Sequence, residues 1–120
     1  MSYDYTVFRA PAEGPMDAWP AEAPPALGSL AEVRQRLDAL LHQVTWTQHA
    51  STWLGRCEAG PRSAELQLTP EADGQVRFVT IRRVERALVE ELCAGLGVVA
   101  VDPQEMRLYR PEARAWSDAR

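Results

Sequence analysis

The stretch AELQLTPEADGQVRFVTIRRVERALVEELCAGLGVVAVDPQ, residues 64–104, decides the fold of this chain. Its first part, residues 64–69, alternates apolar with polar side chains, as in a strand that buries one face. Residues 75–82 carry apolar side chains on both faces and predict a central strand. Between the two segments, Asp73-Gly74 favours the positive φ of a tight turn. The sequence therefore predicts a hairpin.

The second part of this stretch changes from a period of two to a helical period. Apolar residues recur at every fourth position, namely Val84, Leu88, Leu92 and Leu96. This spacing predicts an amphipathic helix, and Gly97 is suited to the left-handed conformation that ends a helix. The apolar run 98–101 then predicts a strand with both faces covered, which ends at Asp102-Pro103.

A helix is also predicted upstream, beginning after Ser29. Ser29 and Glu32 have the spacing of a capping box, in which each side chain bonds the backbone amide of the other residue. The apolar residues from Leu30 to Val44 then recur at helical spacing and form one stripe. This helix should pack on the same core as the later one.

Three further strands are predicted outside these elements. Residues 2–8 alternate and are rich in β-forming side chains, which predicts the first strand. Residues 46–58 predict one strand with a bend, in which regular alternation places Trp46 and Trp53 on opposite faces. Residues 106–109 alternate again and predict a short last strand.

The predicted order is β-α-β-β-β-α-β-β within a single domain, residues 1–120. This order indicates an α+β fold, with two helices on one face of a mainly antiparallel sheet: a two-layer sandwich, ferredoxin-like in the broad sense. The polar end, residues 112–120, is predicted to be a flexible tail. The predicted core consists of Leu37, Leu40, Leu41, Leu66, Leu68, Phe78, Ile81, Leu88, Leu92 and Val99.

Five prolines between residues 10 and 28 predict a long surface loop. Loops of this length are usually functional or disordered, and Met16 and Trp19 favour order because a tryptophan gains most from burial. Two interpretations of Trp19 are open. It can pin the loop to its own domain, or it can anchor a protein partner with Met16 beside it.

Composition limits the classes of function. The chain has a net charge of −4, which argues against duplex nucleic acid as a partner. No apolar run approaches the roughly 18 residues of a membrane helix, and the N-terminus lacks the pattern of a signal peptide. All 13 basic residues are arginine, which indicates a GC-rich bacterial genome. We therefore expect a bacterial, cytoplasmic protein.

No familiar catalytic, phosphate-binding or metal-binding motif is present. Cys57 and Cys93 do not form a Cys-x-x-Cys pair, so they are predicted to be reduced core thiols. His42 and His49 are the remaining soft ligands, and their spacing does not place two ligands on one helix face. We therefore predict no metal and no cofactor.

Three functions are compatible with these observations. The leading hypothesis is a non-enzymatic protein that binds another protein, since no catalytic constellation is evident. A small enzyme with a site built from Asp4, Asp102 and the two histidines is the second. The third uses an arginine cluster, which pairs with nearby carboxylates or contacts an anion or RNA. The cluster consists of Arg82, Arg83 and Arg86.

Two segments carry a resemblance to known sequences. The start Met1-Ser2-Tyr3-Asp4-Tyr5 and the Gly-Leu, apolar, Asp-Pro-Gln run of residues 95–104 are similar to a loose group of small uncharacterised bacterial proteins. Some members of that group are thought to be immunity proteins of polymorphic toxin systems. Phe8 stands where that group often has tryptophan. The resemblance implies an interaction protein and supplies no catalytic residue.

Overall fold

Eight strands form one antiparallel sheet in the computed structural model, which describes residues 4–119. Their order across the sheet is β10-β9-β8-β1-β7-β5-β4-β3, while β2 and β6 form a separate small pair. The helices are α1 (Leu30–Leu41) and α2 (Arg86–Leu96). The strands are β1 (Tyr5–Phe8), β2 (Gly28–Ser29), β3 (Thr45–His49), β4 (Thr52–Cys57), β5 (Ala64–Leu68), β6 (Gln75–Val76), β7 (Val79–Arg82), β8 (Val99–Asp102), β9 (Arg107–Arg110) and β10 (Ala115–Asp118).

Both helices pack on the same face of this sheet. Leu37 of α1 and Leu92 of α2 are fully buried, and they share one core with Val7 and Ile81 from the centre of the sheet. Strands β7 and β8 are both antiparallel to β1, which lies between them, so β7, α2 and β8 form a split β-α-β unit. The predicted α+β class, with two helices on a mainly antiparallel sheet, is confirmed.

The start of α1 has the predicted capping box. The Ser29 hydroxyl accepts a hydrogen bond from the Glu32 amide at 3.2 Å, and the Glu32 carboxylate accepts one from the Ser29 amide at 3.2 Å. These bonds satisfy amides that otherwise have no partner at a helix N-terminus. They also lower the pKa of Glu32, because they favour its ionised form.

Removing this cap should destabilise the fold modestly. We expect Ser29→Ala to lower the free energy of unfolding by about 1 kcal/mol, because one amide of α1 loses its acceptor. Urea denaturation measures this change. The exposed Ser117→Ala variant is the control and should stay within about 0.5 kcal/mol of the wild type. Equal stability of the two variants would contradict the role of Ser29.

The prediction of one strand over residues 46–58 is wrong, because the segment folds as a hairpin. Strands β3 and β4 are joined by a two-residue turn at Ala50 and Ser51. Trp46 lies opposite Gly55, and Gln48 lies opposite Trp53, so both indoles lie on the helix side of the sheet. The turn lacks the glycine, asparagine or proline that usually marks one in a sequence.

Ala50 adopts a φ of 55°, a left-handed conformation that costs an alanine more than a glycine. We therefore expect Ala50→Gly to raise the free energy of unfolding by about 0.5 kcal/mol, which thermal and urea denaturation can detect. Ala115→Gly in β10 is the matched control and should destabilise, since strand backbone suits alanine better. Destabilisation by both substitutions would contradict a strained turn.

Two predicted core residues are placed differently by the structure. Phe78 is 44% exposed, and Leu40 is only partly buried against the core. Residues 75–82 do not form one strand: β6 pairs with β2, and β7 begins after a break at Arg77 and Phe78. Val79 and Ile81 face the helices, so Phe78, one position before Val79, lies on the opposite face of the sheet, where it contacts Phe8. The other predicted core residues are buried, namely Leu37, Leu41, Leu66, Leu68, Ile81, Leu88, Leu92 and Val99.

The C-terminal end of the chain also differs from the prediction, whereas the first residues of the chain do not test it. Residues 2 and 3 of the predicted first strand lie outside the described residues. Where a flexible tail was predicted over 112–120, the structure has β10, which pairs with β9. Trp116 of β10 packs against Tyr5 and Tyr109, with ring centroids 5.8 and 5.2 Å apart. These aromatic contacts explain why a polar segment joins the sheet.

Candidate functional site

The sheet face opposite the helices is covered over only part of its width. At the end formed by β1, β8 and β9, a second apolar cluster is buried under the loop of residues 9–27. Its buried members are Phe8, Val99, Leu108 and Ala119. Met16 and Trp19, the predicted partner-binding residues, are partly buried and pack against this cluster. We call the remaining, uncovered part of this face the open face.

Trp19 attaches the loop to the sheet. Its indole packs edge-on against Phe8, with ring centroids 5.9 Å apart, and its Nε1 donates a hydrogen bond to the Gly14 carbonyl at 3.2 Å. The Arg110 guanidinium lies 5.6 Å from the centroid of the indole and also donates to the Gly14 carbonyl. Trp19 therefore pins the loop to its own domain, while part of its side chain stays accessible.

The far end of the same loop is held by different contacts. Arg77 donates to the Pro24 carbonyl at 2.8 Å and forms an ion pair with Glu71 at 2.7 Å. The Leu27 amide donates to the Val76 carbonyl at 2.7 Å, just before β2 pairs with β6. Contacts of this kind at both ends give the proline-rich loop a defined path over the sheet.

Phe78 continues the aromatic contacts onto the open face. Its ring centroid lies 5.7 Å from that of Phe8, so Trp19, Phe8 and Phe78 form a row, which we call the aromatic row. The row runs from the pinned loop to an exposed phenylalanine beside β7. A large exposed aromatic side chain next to a packed cluster is a typical anchor for a partner. The sequence predicted Phe78 to be a core residue, because residues 75–82 are apolar on both faces of the strand.

The open face over β3, β4, β5 and β7 is concave. The depression has a volume of about 570 Å³, and we call it the open groove. Polar and apolar atoms contribute about equally to its lining, which includes Thr45, Thr47, His49, Leu54, Gln67 and Arg82. Threonine hydroxyls and the Gln67 amide can donate and accept hydrogen bonds, while the partly exposed Leu54 adds apolar surface.

The charges of the open groove are balanced. Arg56 forms ion pairs with Glu65 at 3.3 Å and Glu58 at 3.9 Å, and Arg82 pairs with Asp4 at 3.4 Å. Neither sign of charge dominates this surface. A mixed, mostly neutral lining suits a polar protein surface better than a highly charged polymer.

The structure does not bring together the residues of the hypothetical enzyme site. Asp4 pairs with Arg82 at the open face, where His49 lines the open groove. His42 is the exposed C-cap of α1, and Asp102 is fully buried on the helix side of the sheet. The two carboxylates therefore belong to opposite faces and cannot share one reacting group.

The predicted arginine cluster is also divided between separate surroundings. Arg82 pairs with Asp4, and Arg83 lies 3.6 Å from the Glu65 carboxylate. Arg86 pairs with Asp102 at 2.7 Å on the opposite face. Each guanidinium thus has a carboxylate partner, as in the simpler of the two interpretations.

Asp102 and Arg86 form a structural ion pair that the sequence did not indicate. One oxygen of the buried Asp102 carboxylate accepts amide hydrogen bonds from Gln104 and Glu105 at 3.0 and 3.3 Å, which shapes the turn after β8. Arg86 also donates to the Tyr5 hydroxyl at 3.3 Å, and this bond raises the pKa of Arg86. The pair fixes the start of α2 to the sheet.

Neither cysteine is placed for chemistry. Cys57 and Cys93 are free and buried. Burial, with the nearby Glu90 carboxylate, raises the pKa of Cys93 to about 12, so this thiol stays protonated at neutral pH. Among residues 4–119, no group of three or more histidine, cysteine or acidic side chains is arranged to hold a metal ion.

These features define an α+β domain with a half-open sheet face. In the described part of the chain, neither helix has the length and apolar character needed to cross a membrane. Comparisons of the sequence and the fold with protein-family models, curated proteins and solved structures gave no significant match.

Proposed function

We propose that this protein is a non-enzymatic domain that binds another protein through the open face of its sheet. The exposed Phe78 at the end of the aromatic row carries this proposal. An exposed aromatic side chain on the same sheet face as a groove with hydrogen-bonding side chains offers an anchor that a partner can bury and polar groups that can surround it, which is the usual anatomy of a protein interface.

The aromatic row is held in position before any partner binds. Phe8, the middle member of the row, is buried, and Trp19 is fixed by its contacts with Gly14 and Arg110. An anchor that is already ordered loses little conformational entropy on binding. Trp19 and Met16, whose exposed parts adjoin this row, extend the contact surface along the loop.

The resemblance of residues 1–5 and 95–104 to possible immunity proteins suggests the kind of partner. We propose a bacterial toxin domain, neutralised in the cytoplasm by direct binding. The balanced charges of the open groove support recognition of a mixed polar surface. The split unit of β7, α2 and β8 also supports the proposed description of the fold as ferredoxin-like in the broad sense.

The Phe78→Ser variant tests the proposed surface. We expect a loss of at least about tenfold in affinity for the partner, because the anchor is removed, and little change in unfolding free energy. Products of genes adjacent to this one, purified singly, are the probes for calorimetric titration. Met106→Ser is the matched control, since Met106 is a similarly exposed apolar side chain that is not in the aromatic row.

Trp19→Ala provides a second arm of this experiment. It should weaken binding and also lower the thermal midpoint, since Trp19 both adjoins the surface and pins the loop. The proposal fails if Phe78→Ser and Met106→Ser bind equally well, or if the wild type binds no product of an adjacent gene.

A further inference from the structure

We propose that the chain forms a symmetric dimer in which the β3 strands of two copies pair antiparallel, with Thr47 on the two-fold axis. This inference concerns the edge of the sheet and is independent of the proposed partner on the open face. The register follows from the backbone of β3, its side chains and the charges of α1 above it.

Strand β3 is an unprotected edge. It ends the sheet order, and no strand among the described residues pairs with its outer side. Its sequence, Thr-Trp-Thr-Gln-His, contains no proline, glycine, lysine, arginine or acidic residue, and four of its five residues are exposed. Proteins usually guard such edges with charge, proline or a bulge. The opposite edge, β10, carries Asp118 and is flanked by Arg114.

The hairpin determines which backbone groups of β3 point outward. His49 and Thr52 flank a two-residue turn and form a hydrogen-bonded pair. Because such pairs alternate, Thr45 and Thr47 also direct their N–H and C=O groups toward β4. Trp46 and Gln48 direct theirs to the outside, where they offer two donors and two acceptors.

These outward groups are self-complementary about Thr47. An antiparallel pairing centred there places Trp46 of each copy opposite Gln48 of the other, and all four outward groups then form hydrogen bonds. Thr47 of one copy lies opposite Thr47 of the other at a position without backbone hydrogen bonds. Two threonine side chains pack well at such a position. Thr45 lies opposite His49, so no two like charges face each other in this register.

The helix above β3 adds charge complementarity. The Arg34 guanidinium lies 5.2 and 4.3 Å from the ring centroids of Trp46 and Trp53, and Asp38 accepts a hydrogen bond from Trp46 Nε1 at 3.1 Å. Arg34 and Asp38 therefore overlie the edge, one helical turn apart. The two-fold axis reverses their order, which brings Arg34 of each copy toward Asp38 of the other.

Disulfide trapping tests this register directly. On the axis, the two Cα atoms of residue 47 should lie about 4.5 Å apart, within the range of a disulfide. Thr47→Cys should therefore form a covalent dimer on mild oxidation. Thr45→Cys is the matched control: its two copies would lie roughly 13 Å apart, and we expect at least about tenfold less dimer. The native cysteines are buried and do not compete.

Blocking the edge tests the dimer without a cross-link. Sedimentation equilibrium of the wild-type chain up to about 1 mM should show a concentration-dependent dimer, since five paired residues make a small interface. Gln48→Pro removes an outward donor without touching the bonds to β4, and it should leave a folded monomer. If Gln48→Pro unfolds, the experiment uses Thr47→Lys instead. The two lysine ammonium groups would face each other across the axis and repel, which opposes pairing of the two β3 strands.

The proposal is overturned by any of three results. The wild-type chain is monomeric at the highest concentration, the two cysteine variants cross-link equally, or the dimer persists in the folded edge variant.

Discussion

Replacing Arg86 with methionine is expected to lower the free energy of unfolding by about 3 kcal/mol. The methionine keeps much of the apolar stem of the side chain but removes the guanidinium that faces Asp102, whose side chain is 0% exposed. The carboxylate would then be buried with only the amides of Gln104 and Glu105 as partners. Urea denaturation at neutral pH measures the loss.

Two further variants separate the lost ion pair from other effects. Arg83→Met removes an ion pair whose arginine side chain is 73% exposed, and it should cost less than about 1 kcal/mol. Adding Asp102→Asn to Arg86→Met should recover part of the loss, because the buried charge is gone while the turn keeps an acceptor. Equal costs for Arg83→Met and Arg86→Met would show that the Asp102 pair is not structural.

The second large effect is expected at Leu88. This residue is 4% exposed and packs on the sheet from the first half of α2. Leu88→Ala should cost about 2–5 kcal/mol through lost burial and the cavity left behind. Alanine favours helix as strongly as leucine, so the change reports packing rather than helix propensity. Thermal and urea denaturation give the magnitude.

Glu91→Ala is the control on the solvent side of the same helix, where Glu91 pairs with Arg62 at 2.6 Å. We expect a cost below about 1 kcal/mol, because the Glu91 side chain is 53% exposed and its ion pair is partly solvated. A cost below about 1 kcal/mol for Leu88→Ala as well would place Leu88 outside the core and contradict the packing of α2.

Elements governed by local contacts were predictable from the sequence. The capping box at Ser29, the helical stripes of α1 and α2, and the stop at Gly97 depend on residues within a few positions of one another. Gly97 indeed adopts a φ of 69° and donates its amide to the Cys93 carbonyl. The alternation of β5 likewise follows from having one face on the core.

The candidate site was predictable only in part. Trp19 stood out because it is a large apolar residue in a proline-rich loop, and the structure places it in the aromatic row. Phe78 did not stand out, since residues 75–82 are apolar on both faces and predicted a strand covered on both sides. Phe78 is 44% exposed because the sheet face opposite Val79 and Ile81 is covered only in part.

The sequence by itself determined the α+β class, the two helices and most of the core, because periodicity and capping act over short distances. Tertiary structure decided the β3–β4 hairpin, where Gly55 is needed: a Cβ there would lie 2.8 Å from the Trp46 ring. Among residues 4–119, it also left β3 at the edge of the sheet with no strand on its outer side, and it left part of one sheet face uncovered. These features depend on which segments, far apart in the sequence, pack against each other. No local sequence pattern specifies that packing.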